Sequence, residues 1–103
     1  MPAYLIASVV GVKDADALRA YLEASPALIA AHGGRYVARG GTIEVLDGDF
    51  APKRVTIVEF PTLDDARAWY RSPEYQRIRP IRLENADSSM VLVEGLPTAP
   101  SEG

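Results

Sequence analysis

Residues 54–60 read RVTIVEF, and this segment decides the fold because neither of its faces is polar. In an extended strand successive side chains point to opposite faces, so Val55 and Ile57 share one face while Val58 and Phe60 share the other. An antiparallel sheet that has helices on one face and water on the other alternates cleanly between apolar and polar residues. The pattern therefore predicts a further layer on the face that the protein's own helices leave free. A second copy of the sheet is the simplest cover, and it predicts a symmetric homodimer that pairs through its sheet faces.

Apolar runs bounded by glycine and proline predict three more strands. They are Tyr4–Val10, Arg35–Arg39 with a continuation at Thr42–Leu46, and Met90–Val93. We expect Gly40 and Gly41 to form a bulge or bend inside one long second strand. The segment DGDFAPK, residues 47–53, predicts a turn before residues 54–60 because Asp-Gly favours positive φ and proline stops a strand.

The first predicted helix follows Asp14, whose side chain can accept hydrogen bonds from the first turn. Its apolar residues recur at helical spacing as far as His32. Pro26 lacks an N–H, so we expect a kink there, or a restart with Ser25 as the new cap. Gly33 and the glycine after it end the helix.

Two more helices follow the segment RVTIVEF. Thr62 caps the first of them, and its apolar stripe includes Trp69 and Tyr70. Ser72 caps the second, in which Pro73 takes the first helical position, and this helix runs to about residue 86 with a bend at Pro80.

The resulting order of elements is β-α-β-β-α-β, which is the ferredoxin-like arrangement of an α+β protein with a four-stranded antiparallel sheet. A chain of 103 residues has room for one such domain, predicted at residues 1–95. Residues 96–103 carry too little apolar surface to order themselves and are predicted to form a flexible C-terminal tail.

Composition excludes several classes of function. The net charge of −3 is unfavourable for a protein that neutralises phosphates, so no nucleic-acid partner is expected. The absence of cysteine excludes disulfides and cysteine-bound zinc, and a single histidine is poor metal spacing, so no metal and no cofactor is predicted. The N-terminal apolar run is too short to cross a bilayer, which predicts a cytoplasmic protein without a membrane partner.

Three segments also resemble a known family. They are AHGGRYVARGG at residues 31–41, VEFPTLDDARAWYRSPEY at residues 58–75 and LVEG at residues 92–95. Together they resemble the uncharacterised family called domain of unknown function 1330, across Pro2 to Gly95. That family belongs to the dimeric α/β-barrel superfamily, so the resemblance implies a dimer. It implies no reaction, because the superfamily includes cofactor-free monooxygenases, haem-degrading enzymes, muconolactone isomerases and chlorite-dismutase-like proteins.

His32 and Arg39 are the charged candidates within the glycine-rich part of the chain. An imidazole titrates near neutral pH, so His32 can act as a general base or acid; the alternative is a hydrogen bond to the free carbonyls that end the first helix. Arg39, beside two glycines, can clamp the carboxylate of a ligand. The alternative for Arg39 is a salt bridge to Glu44 or Glu59.

Glu59 is a charged residue in an otherwise apolar strand, in phase with Val55 and Ile57. A carboxylate in this position either pairs with an arginine such as Arg39 or Arg54 or is available for proton transfer, and pairing is the favoured interpretation.

Aromatic residues surround the predicted break between the second and third helices. Trp69 is assigned to the core, while the hydroxyls of Tyr70 and Tyr75 are expected to line an opening and to donate to a developing oxyanion. The predicted ligand-binding residues are Tyr36, Arg39, Glu59, Trp69 and Ser72. The nearby arginines, including Arg67 and Arg82, alternate with acidic residues, which is typical of a solvated helix face.

These features predict a dimer whose cavity, between sheet and helices, accepts a small organic anion. If turnover occurs, the expected chemistry is isomerisation by proton transfer or cofactor-free oxygenation. The predicted catalytic residues are His32, Arg39, Tyr70 and Tyr75. Two alternatives stay open at this point: a ligand-binding or regulatory module without turnover, and a cavity that reflects imperfect packing alone.

Overall fold

A four-stranded antiparallel sheet packs against three helices in the computed structural model, which describes residues 1–97. In chain order the elements are β1 (Ala3–Val12), α1 (Ala15–Ala31), β2 (Arg35–Arg39), β3 (Arg54–Phe60), α2 (Leu63–Arg71), α3 (Pro73–Asn85) and β4 (Ala86–Glu94). The strand order across the sheet is β2-β3-β1-β4. The predicted ferredoxin-like order of elements is therefore confirmed.

The predicted helix caps are present because each needs only a short polar side chain at the right position. The side chain of Asp14 accepts a hydrogen bond from the backbone of Ala17 at 3.0 Å. Thr62 caps α2 in the same way, and Ser72 caps α3. Gly33 has a φ of 81°, the left-handed conformation in which a helix commonly ends.

The predicted restart of α1 at Pro26 does not occur, because α1 continues from Ala15 to Ala31 with this proline inside it. Ser25 is buried in the helix rather than acting as a new cap. Proline removes one backbone hydrogen bond, but the buried side chains of Tyr21 and Ile29, on either side of it, pack into the same core. Burial of one continuous face therefore holds the helix together. In α3 the helix likewise runs without a break through Pro80.

The predicted continuation of β2 at Thr42–Leu46 is also wrong. No strand forms between Gly40 and Lys53, and β3 begins only at Arg54. A strand is stable only beside a hydrogen-bonded neighbour, and β3 is too short to pair with the continuation. The irregularity in β2 lies between Tyr36 and Ala38, not at the two glycines. β4 starts earlier than predicted, at Ala86, because its polar first half pairs with the end of β1.

The two faces of the sheet differ in what covers them. The helix-covered face holds the core, in which Leu5, Val58 and Phe60 pack against residues of the helices. On the opposite face Ile6 lies between Ile57 of β3 and Val91 of β4. We call this opposite surface, formed by Tyr4, Ile6, Val55, Ile57, Val91 and Val93, the open sheet face. The prediction that neither face is uniformly polar is confirmed, although Ser8 and Glu59 also lie on the open sheet face. On the open sheet face Val91 is 52% exposed and Val93 is 47% exposed.

Candidate functional site

A cavity of about 230 Å³ lies between the helix-covered face of the sheet and α1. Its walls are mostly apolar, with Ala7 and Val9 on β1 facing Leu18 and Leu22 on α1. We call it the α1 cavity. Its volume and its apolar walls are those of a site for a small organic molecule.

Three cationic side chains line the α1 cavity, and no carboxylate does. Lys53 directly precedes β3 and Arg54 is its first residue, and both keep contact with solvent. Arg82 comes from α3 and is only 7% exposed. Its Nη1 donates a hydrogen bond to the hydroxyl of Ser88 at 2.8 Å, whereas its Nε has no partner. Within residues 1–97 no carboxylate forms an ion pair with Arg82, which is unusual for a buried charge.

Two buried tyrosines, Tyr21 of α1 and Tyr75 of α3, accompany Arg82. Their hydroxyls form a hydrogen bond of 2.9 Å. Burial, reinforced by the nearby Tyr75, raises the pKa of Tyr21, so its hydroxyl stays protonated. Burial alone would lower the pKa of Arg82, but its interactions with Tyr75 and Tyr21 outweigh this and raise the pKa. The arrangement therefore keeps a positive charge at the wall of an apolar cavity.

The sequence pattern predicts that Arg82 lies on a solvated helix face together with the other arginines of this segment. That interpretation is right for Arg67, which is half exposed and pairs with Asp64 at 3.3 Å. It is wrong for Arg82. The signal that could have found it is its position seven residues after Tyr75, because residues about two helical turns apart share one helix face.

A second cavity, of about 270 Å³, lies beside the edge strand β4. Its walls are formed by Leu5, Trp69, Tyr70, Met90, Val91 and Leu92. We call it the β4 cavity, and it shares no wall residue with the α1 cavity. The buried ring of Tyr75 connects the two regions, since its hydroxyl reaches both Tyr21 and, at 3.9 Å, the sulfur of Met90.

The aromatic residues predicted around the helix break come together as expected. The ring centroids of Trp69 and Tyr75 are 4.3 Å apart, and those of Tyr70 and Tyr75 are 5.4 Å apart. Trp69 is fully buried, as predicted for a core residue, and it also borders the β4 cavity. Tyr70 lines that cavity, whereas Tyr75 is buried and lines neither cavity.

The side chains of Ser72 and His32 form hydrogen bonds at helix ends. The Ser72 hydroxyl donates to the carbonyl of Trp69 at 2.7 Å and accepts from the backbone of Tyr75 at 3.2 Å. The Nδ1 atom of His32 lies 3.1 Å from the carbonyl oxygen of Leu28 in the last turn of α1. This is the structural alternative that the sequence analysis left open for His32. Neither Ser72 nor His32 lines the two cavities.

Arg39 and Tyr36 form a cation–π contact on β2, with the guanidinium carbon 4.5 Å from the ring centroid. Neither residue lines the two cavities. Glu59 forms an ion pair with Arg35, not with the arginines proposed from sequence, and both residues line a third cavity, of about 260 Å³. The reason is register, because Arg35 lies directly opposite Glu59 in the pairing of β2 with β3.

The four predicted catalytic residues are thus not gathered in one cavity of a single chain. Tyr70 and Tyr75 are neighbours, while His32 and Arg39 lie outside both cavities. Their catalytic roles stay a prediction. Within residues 1–97 no group of three or more potential metal ligands lies together.

The fold and the cavities define the class as a small ferredoxin-like α+β protein with ligand-sized cavities beside its sheet. The chain belongs to the family described as Domain of unknown function (DUF1330), whose family model matches residues 2–96. This confirms the resemblance noted in the sequence.

Solved structures with a similar fold include proteins of unknown function and an oxygenase. The RPA0582 protein of unknown function from Rhodopseudomonas palustris is 23% identical, with a TM-score of 0.76 over 94% of this chain and 84% of that one. A dimeric ferredoxin-like protein of unknown function from Thermobifida fusca is 19% identical, with a TM-score of 0.63 over 91% of each chain. SnoaB, a cofactor-independent oxygenase from Streptomyces nogalater, is 14% identical, with a TM-score of 0.65 over 96% of this chain and 97% of that one.

No curated protein matches the chain. None of the helices described within residues 1–97 has the length and apolar character needed to cross a membrane.

The raised pKa of Tyr21 predicts how stability depends on pH. The unfolded chain loses the Tyr21 proton near the ordinary value of about 10, whereas the folded chain retains it to higher pH. The contribution of Tyr21 is therefore fully present below about pH 10 and is lost as the pH rises further. We expect the free energy of unfolding to fall less steeply above about pH 10 in Tyr21→Phe than in wild type, as measured by urea denaturation.

Tyr4→Phe is the matched control, because Tyr4 lies on the open sheet face, away from the buried pair. It should keep the wild-type dependence on pH. Equal slopes in wild type and Tyr21→Phe would show that Tyr21 does not retain its proton on folding.

Proposed function

We propose that the protein binds a small organic anion in the α1 cavity, with the anionic group held by Arg82. The observation that carries this proposal is a buried guanidinium at the wall of an apolar cavity, without a carboxylate partner in residues 1–97. Removing a charge from water is costly unless an opposite charge or hydrogen-bond acceptors replace the lost hydration. A bound carboxylate or similar oxyanion supplies both, because it accepts the N–H groups of a guanidinium in a charge-assisted pair.

The rest of the α1 cavity supports an anion with an apolar body. Leu18 and Leu22 offer the body an apolar wall, and the volume is about 230 Å³. An apolar cavity of about 150 Å³ is enough for benzene, so a benzene ring with one acidic group is the scale of ligand that fits. Lys53 and Arg54 add positive charge, which attracts anions before they bind.

Binding receives more support than turnover. The described residues that line the α1 cavity include no histidine and no carboxylate, the side chains that most often act as a general base. The likeness to SnoaB is a likeness of fold and does not by itself transfer oxygenase chemistry. We therefore place the ligand-binding or regulatory module ahead of the isomerase and oxygenase hypotheses.

We also propose that the protein is a homodimer that pairs through the open sheet face. Val91 and Val93 on that face are about half exposed, and both are apolar. Covering such a patch with an identical patch removes it from water at both subunits and satisfies two-fold symmetry. The similar structure from Thermobifida fusca is described as dimeric, which supports the proposal.

Benzoate and benzamide test the anion site, because they share a shape and differ in charge. In wild type we expect benzoate to bind more tightly than benzamide, by calorimetric titration. A charge-assisted hydrogen bond contributes about 1.5–3 kcal/mol, so Arg82→Met should weaken benzoate binding about tenfold or more and leave benzamide nearly unchanged.

Arg67→Met is the matched control for this titration, since Arg67 pairs with Asp64 outside both cavities. It should bind benzoate like wild type. Equal affinity of wild type for the two compounds, or equal loss in both arginine variants, would contradict the proposed site.

The proposed dimer predicts that Val91→Asp lowers the molecular mass measured by light scattering from two chains to one. A charge placed in the centre of a paired apolar surface is buried without a partner. Leu83→Asp is the control, because Leu83 is similarly exposed, at 45%, but lies on α3. A wild type of 11.1 kDa at all concentrations would contradict the dimer.

A further inference from the structure

The cationic side chains of the α1 cavity are held on opposite sides of Val9. Val9 of β1 pairs with Arg54 of β3 on one side and with Ser88 of β4 on the other. Neighbouring strands lie about 4.8 Å apart, so the backbones of Arg54 and Ser88 are about 10 Å apart. The guanidinium of Arg82 lies at the Ser88 end, where its Nη1 donates to the Ser88 hydroxyl at 2.8 Å. One cationic group is therefore anchored beside β4, and another is carried by β3.

Arg54 belongs to the face of β3 that lies under the helices. Side chains alternate along a strand, so Arg54 shares its face with Val58 and Phe60, which have no exposed surface. Arg54 itself is half-buried and lines the α1 cavity. Within residues 1–97 no carboxylate forms an ion pair with it. Its charge is therefore available to a ligand in the cavity.

An apolar wall separates the two cationic ends of the α1 cavity. Val9 lies between them in the sheet, and Leu18 and Leu22 of α1 line the same space. A ligand with a single anionic group satisfies Arg82 and leaves Arg54 without an acidic partner. A second anionic group at the far end of an apolar body pairs with Arg54, because a guanidinium forms charge-assisted hydrogen bonds with oxyanions.

We propose that the ligand of the α1 cavity is a dianion, whose apolar body carries one anionic group to Arg82 and a second to Arg54. This inference rests on the proposed anion site at Arg82 and adds the chemical class of its ligand. Lys53 lies beside Arg54 in the chain and adds positive charge at the same end. The cavity volume of about 230 Å³ exceeds the cavity of about 150 Å³ that holds benzene, so a benzene ring with a carboxylate at each end fits.

Terephthalate and 4-carbamoylbenzoate test this inference, because they have nearly the same shape and differ in the charge of one end. Terephthalate has a carboxylate at each end of its ring, whereas 4-carbamoylbenzoate has one carboxylate and one neutral amide. In wild type we expect terephthalate to bind about tenfold more tightly, by calorimetric titration at low salt. Of this ratio about twofold comes from the two equivalent orientations of terephthalate, and the rest comes from Arg54.

Three variants assign the preference to a residue. Arg54→Met removes the charge and keeps a long side chain, so the ratio should fall to about twofold while 4-carbamoylbenzoate binds as it does to wild type. Arg54→Lys keeps the charge and should restore most of the preference. Arg19→Met is the matched control, because Arg19 lies on α1 next to a wall residue, pairs with Asp16 at 2.9 Å and does not line the α1 cavity. It should keep the wild-type ratio.

A wild-type ratio of about twofold or less overturns the inference without any variant. Loss of the preference in Arg19→Met, or its retention in Arg54→Met, also overturns it. The benzoate and benzamide titration separates this inference from the proposed function. A preference for benzoate over benzamide without a preference for terephthalate overturns the dianion alone. If benzoate is not preferred over benzamide, the anion site at Arg82 fails, and the dianion fails with it.

Discussion

The buried guanidinium of Arg82 is the constraint on which the candidate site depends. A charge that lies inside a protein without a carboxylate must obtain its stabilisation from dipoles, and here these are hydroxyl groups. Ser88 accepts a hydrogen bond from it, and Tyr21 and Tyr75 favour its charged form. These hydroxyls come from α1, α3 and β4, so the charge sits where three elements meet.

The buried residues next to Arg82 also lie between the α1 cavity and the β4 cavity. The ring of Tyr75 stacks near Trp69 and places its hydroxyl against Tyr21, so one side chain joins the aromatic core to the polar cluster. The α1 cavity opens on the Arg82 side of this junction and the β4 cavity on the Trp69 side. One buried residue thus separates the α1 cavity from the β4 cavity. The open sheet face shares no residue with the walls of the α1 cavity, but its Val91 is also a wall residue of the β4 cavity.

The sequence predicts the parts of this structure that depend on local rules. The caps at Asp14, Thr62 and Ser72 were predictable because each acts within one helical turn, and β3 was predictable because Pro61 ends a β-branched run. Thr42–Leu46 has the pattern of a strand, but a strand also requires a neighbour, and pattern carries no information about neighbours.

The site was harder to predict for a related reason. The residues before and after Arg82 in the sequence are mostly polar or charged, as on a solvated helix face. Arg82 is nevertheless buried, because α3 packs against α1. His32 and Arg39 were candidates because an imidazole can transfer protons and a guanidinium can bind anions. In the structure His32 contacts the carbonyl oxygen of Leu28 at the end of α1, and Arg39 stacks on Tyr36. The chemical type of a residue identifies it as a candidate, whereas tertiary packing determines whether its side chain faces a cavity.

The most direct test of the account is the stability of Arg82→Met in the absence of any ligand. A side chain kept for a ligand's charge contributes little to folding, and a buried charge replaced by an apolar side chain of similar length often leaves stability unchanged or increased. We predict that the free energy of unfolding, from urea denaturation, is equal to or greater than that of wild type. A loss of more than about 2 kcal/mol would show that Arg82 is a structural residue, and the anion site would lose its basis.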